Sequence, residues 1–195
     1  MSLPEVVIRT RQPLHLPVPD EIAADAVPGV LDSPDIVLAF DIEQQDPDRT
    51  FWCWAAVAVS LRSFLRGESM DQCELAARVF NGFDCCQNPV PCDVMKPLET
   101  ALAQAGVFRG RVMSPVQPPA IVTELQRQTP LGCAIRWNTG SAHFVVLYGI
   151  SPDIDGTPSV SVDDPSYGKW EGPYTSFRDA YLEGAGRWIA SYFTA

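Results

Sequence analysis

The sequence predicts an α+β fold, with helices first and a sheet second. Three observations carry that prediction. Between Cys53 and Gln128, polar and apolar residues recur at helical spacing, and after Pro130 runs of β-branched and aromatic residues alternate with turn residues. The chain has 195 residues, 46% of them hydrophobic, which suits one domain with a sizeable core. Its 18 prolines are roughly twice average usage and favour a loop-rich structure over a helical bundle.

The elements follow in order. Residues 1–40 carry six prolines, with strand-like character only at Glu5 to Thr10 and Ile36 to Phe40. This segment reads as an extended arm wrapped over the domain or as a removable pro-segment. Cys53 to Arg66 is a helix whose polar residues, Ser60, Arg62, Ser63 and Arg66, form one narrow stripe, so most of it should be buried. Arg62 and Arg66 suit its C-terminal dipole and Gly67 its stop. A second helix is expected from Ser69, with Ser69 and Gln72 as a capping box, up to the stop Asn81-Gly82. A third covers Lys96 to Gln104 and ends at Gly106; a fourth runs from Pro119 to Gln128. LGCAIRW, HFVVLYGI, SVSVDD and GRWIASYF read as strands, with TSFRDAYL a short helix before the last.

Composition excludes some functions. A net charge of −10 repels phosphate backbones, so no nucleic-acid partner is expected. The longest apolar run, Phe51 to Val59, is too short for a bilayer, so no membrane insertion is expected. The N-terminus lacks the apolar stretch of a secretory signal. The chain is therefore cytoplasmic, exported by a specialised route, or already trimmed.

A catalytic constellation can be assembled from single residues. Cys53 opens the buried helix, where unpaired N–H groups and the positive dipole end favour a thiolate. A thiolate nucleophile needs a base. The chain has two histidines: His15 lies in the arm, and His143 starts the strand HFVVLYGI, so His143 is the candidate. An orienting carboxylate is offered by Asp163 or Asp164. Asp164 is favoured because it shares a strand face with Val160 and Val162. Gln45, or Gln44, lies just upstream of Cys53 and could supply an oxyanion donor beside the Cys53 N–H. Each residue alone has a structural explanation; the ordered set is harder to obtain by chance.

This set, with "CWAAVAVS", "QCELA", "IRWNTGSAHFVVLYGI" and "VDDPSYG", resembles the papain-like cysteine peptidases. Within that superfamily it is similar to a bacterial branch that includes effector proteases and, more distantly, staphopains. The resemblance covers about residues 41–195. It implies a two-lobed papain-like fold: a helical lobe over about 41–128, an antiparallel β lobe over about 129–195, and a cleft between them. It implies Cys53 as nucleophile, His143 as base, Asp164 as orienter and Gln45 or Gln44 as oxyanion donor. The implied activity is endopeptidase hydrolysis of a protein or peptide substrate, without a cofactor. An amidase, isopeptidase or transpeptidase would use the same acyl-enzyme, and a silent binding module the same fold. Trp52, Trp54 and Trp137 are expected to line the substrate cleft.

Five cysteines remain. Cys73, Cys85, Cys86 and Cys92 cluster, and a bond between adjacent Cys85 and Cys86 is disfavoured. Two disulfides, each taking one of that adjacent pair, are expected. Cys133 is expected as a buried free thiol. The cluster lacks a C-x2-C knuckle, so no metal is expected.

Overall fold

A computed structural model describes residues 35–152 and 158–195. The expected arm therefore lies outside the described residues up to position 34, as does the strand expected at Glu5 to Thr10. Of its last residues, β1 (Ile36–Val37) joins the sheet.

Helix α1 (Cys53–Arg66) has the bounds its apolar pattern predicts, and Gly67 closes it in the left-handed conformation that glycine tolerates. All residues from Cys53 to Leu61 are buried. Ser60, expected on the polar stripe, is among them. Its hydroxyl donates to Ala56 O (2.7 Å) and accepts from Glu43 N (2.7 Å), so it ties the upstream segment to the helix. Helix α2 (Gln72–Val79) starts at an Asp71 cap, not at Ser69, and no capping box forms. Gln72 instead donates to Glu43 Oε1 and Gln44 O, both at 2.7 Å. Helices α3 (Leu98–Ala105) and α4 (Pro118–Gln126) lie within two residues of expectation.

Between α3 and α4 runs β2 (Phe108–Val112), which the sequence reading missed. The remaining strands are β3 (Leu131–Trp137), β4 (Ala142–Ser151), β5 (Ser159–Asp164), β6 (Gly168–Pro173) and β7 (Gly186–Thr194), with α5 (Tyr174–Gly184) before the last. The sheet is antiparallel throughout, in the order β2-β7-β3-β4-β5-β6, with β1 also paired to β4. The helices α1, α2 and α3 pack on one another, and α1 also packs on β4. One continuous apolar core runs from Leu38 through α1 to Tyr192.

Two disulfides, Cys73–Cys86 and Cys85–Cys92, each take one of the adjacent pair. The first holds α2 to a loop that ends in a short 3-10 turn, Val90–Cys92, and the second closes that loop on itself. That loop cradles the start of α1. Asp93 accepts from the N–H groups of Thr50 and Phe51 at 3.1 and 2.9 Å. The Trp52 and Trp54 indoles donate to Cys92 O and Val94 O at 2.9 and 3.0 Å.

Candidate active site

The site is assembled where α1 begins and where β4 and β5 lie side by side. No side chain caps α1, and its first intrahelical bonds are those of Ala55 and Ala56 to Trp52 O. The Cys53 N–H therefore has no helical partner and stands at the positive end of the helix. On the sheet, Val146 lies opposite Asp163. One step along, Asp164 falls diagonal to His143 on the same face, a spacing side chains can bridge.

They do bridge it. His143 Nε2 lies 2.8 Å from Asp164 Oδ1. Cys53 acts with Asp164 on the imidazole's charge, and with Nε2 committed to Asp164 the nitrogen left to meet Cys53 is Nδ1. Burial alone would lower the His143 pKa. Hydrogen bonds and charge from Asp164 and Cys53 outweigh it and push the pKa up to about 9.

Asp164 is fully buried, yet every direction around it is served. Its Oδ1 also accepts from the N–H groups of Ser166 and Tyr167, at 2.8 and 3.0 Å, in the turn that Pro165 starts. Its Oδ2 accepts from the Tyr181 hydroxyl at 3.0 Å. Asp163 faces away and accepts from Ile42 N at 3.0 Å. Tyr181 was not anticipated. It sits where α5 breaks: Ala180 to Glu183 leave helical geometry, with Leu182 and Glu183 at positive φ. Burial, the Asp164 charge and this hydrogen bond push its phenol pKa far up, so it stays a donor.

Trp137 lies over the imidazole, stacked at 5.6 Å between centroids and 25° between planes, and also stacks on Tyr181 at 6.1 Å. Tyr167 meets both His143 and Trp137 edge-on. Gly186, opposite Trp137, makes room: a Cβ there would come within 2.7 Å of the indole.

The other sequence candidates are placed differently. Trp52 and Trp54 are 1% and 0% exposed and turn their indoles to the disulfide loop, so they offer no face to a substrate. The expectation that they line a cleft gives way to a role in holding the start of α1. Gln44 is exposed, and its carbonyl is engaged by Gln72. Gln45 is half-buried; its N–H donates to Pro165 O (2.9 Å), beside Asp164, and its side-chain amide donates to Arg49 O. Arg49 in turn lies over the Trp52 ring at 5.8 Å. The Gln45 loop thus touches both the α1 start and the Asp164 turn. Among the described residues, no cluster of His, Cys, Asp and Glu could hold a metal ion.

Residues 35–181, which include Cys53, His143, Asp164 and Tyr181, match the family model described as papain-like cysteine protease AvrRpt2. The chain belongs to that family. It is a papain-like cysteine peptidase. Among solved structures it is similar to the Pseudomonas avirulence protein AvrPphB, at 11% identity and a TM-score of 0.36, over 80% of this chain and 97% of that one. No curated protein matches the chain. An AvrRpt2-type peptidase acts on protein, and the chemistry such a peptidase needs is a thiolate, a proton donor and a polarised carbonyl.

Proposed function

We propose that this peptidase cleaves internal peptide bonds through a Cys53 thioester. The observation that carries the reading is the buried hydrogen bond of His143 Nε2 to Asp164, which leaves Nδ1 free for Cys53 at the start of α1. In this mechanism the Cys53 sulfur attacks the scissile carbonyl carbon. The carbonyl oxygen takes up the negative charge and is met by the Cys53 N–H and by the Gln45 amide, which has a second N–H beyond the one given to Arg49. The C–N bond breaks as His143 gives its proton to the leaving amine. Water then attacks the thioester, passes a proton to His143, and the acid leaves Cys53 free. Asp164 orients the imidazole, and the Tyr181 hydroxyl with the Ser166 and Tyr167 N–H groups orients Asp164.

The substrate lies extended between helices α1 to α3 and the antiparallel sheet; the lobe boundary expected near residue 128 does not hold, because β2 (Phe108–Val112) already belongs to the sheet. Trp137 and the 66%-exposed Tyr167 wall the His143 side. Incubation with a proteome-derived peptide library tests the reading. Wild type should generate new termini that Cys53→Ala does not; a folded Cys53→Ala protein that cuts equally well would overturn it.

A further inference from the structure

Beside Trp137 lies a cavity of about 370 Å³. Arg136, Trp137, Asn138, Gly140, Asp179 and Arg187 line it. Its framework is fixed by the backbone. Asn138 N donates to Ala185 O at 2.9 Å, and the Asn138 side chain donates to Gly184 O at 2.6 Å.

The charges in it do not serve the fold. Arg136 and Arg187 are directly opposite one another on β3 and β7. Like charges so placed repel and destabilise a sheet. Both side chains are exposed, and neither forms an ion pair among the described residues. The acid in the lining, Asp179, is matched by the adjacent Arg178, which holds it through two nitrogens at 2.6 to 3.0 Å. A chain of net charge −10 has thus set two arginines at facing positions, neither in an ion pair among the described residues.

We propose that this cavity takes an acidic side chain of the substrate, located C-terminal to the scissile bond. The direction rests on the peptidase mechanism above. The leaving amine must be within reach of the proton on His143, so the chain beyond it passes the His143 side of the site. Trp137 covers that side and forms one wall of the cavity. The two guanidiniums supply forked donors that match a carboxylate.

The test uses a chymotrypsin-generated proteome peptide library, which keeps internal acids and bases. Wild type, R136Q/R187Q and R136E/R187E are compared by mass spectrometry of the new termini. Wild type should enrich Asp or Glu, on the order of tenfold, at one of the first three positions after the cut. R136Q/R187Q should bring that enrichment towards one, and R136E/R187E should turn it towards Lys or Arg. The thermal midpoint of R136Q/R187Q should equal or exceed that of wild type, since a repulsion is removed. Cleavage by wild type without acidic enrichment, or enrichment that persists in R136Q/R187Q, overturns the subsite and leaves the peptidase reading standing. No cleavage by any form overturns both.

Discussion

Two cysteines of this chain are free thiols among the described residues, both are buried, and they live in different worlds. Cys53 begins α1, with an unpaired backbone N–H, the helix dipole and an imidazole beside it. Cys133 stands in the middle of β3, opposite Val145 on β4 and Ser191 on β7, within the apolar core. There burial pushes the thiol pKa well up, only partly offset by a backbone hydrogen bond from Leu147. The comparison separates burial from chemistry: both sulfurs are withdrawn from water, but only one faces a base. A buried cysteine becomes a reagent where charged and dipolar groups are arranged to receive its negative charge.

Exchanging the two thiols in turn gives the sharpest contrast. Cys53→Ala should lower kcat/KM by about 10⁴-fold or more, the size expected when a nucleophile is removed. Asp164→Asn should cost less and should also move the pH profile. His143 needs its proton for the leaving amine, so wild-type kcat/KM should fall as pH rises through about 9. With the carboxylate gone, one support of the imidazolium is lost and the alkaline limb should move to lower pH. The stability effect has the same sign. The His143 pKa is raised from 6.5, so the stabilisation is complete below pH 6.5 and is lost as pH rises to about 9. A limb that stays in place in Asp164→Asn would detach Asp164 from His143.

Tyr181→Phe deletes one hydroxyl and should lower kcat/KM by about 2- to 12-fold, with the alkaline limb shifted as well. An unshifted profile with a lower thermal midpoint would mean that Tyr181 only packs. Cys133→Ala should be the mildest change. It should leave kcat/KM unchanged and cost about 1 kcal/mol, read as a fall of about 2–4 °C in thermal midpoint. Loss of activity there, at equal folding, would erase the distinction between the two cysteines.

The same contrast explains what was legible in the sequence. Helix α1, β3 and β5 have the bounds read from pattern alone, because α1 and β3 are apolar runs and β5 alternates its valines with polar residues between turns. Strand β2, FRGRV, and strand β6, GKWEGP, sit at the two edges of the sheet. Edge strands carry charge, glycine and proline to prevent pairing with other chains, and so lose the apolar signal of a strand. The Ser69 cap failed because Gln72 is drawn to Glu43 and Gln44, more than twenty residues upstream. Trp52 and Trp54 were read as cleft residues because they flank Cys53; their burial depends on a loop some forty residues away. Asp164 was readable from strand alternation and His143 because the other histidine, His15, falls in the arm, whereas Tyr181 was not readable. TSFRDAYL scans as a plain helix, and nothing in it signals the break that turns Tyr181 to Asp164.

The most direct measurement is intact mass and adduct mapping after treatment with a papain-directed epoxysuccinyl inhibitor, for wild type and His143→Ala. The account predicts one adduct on wild type, located at Cys53, and none on folded His143→Ala, with Cys133 unmodified in both. An adduct on Cys133, equal labelling of His143→Ala, or no labelling of folded wild type would contradict it.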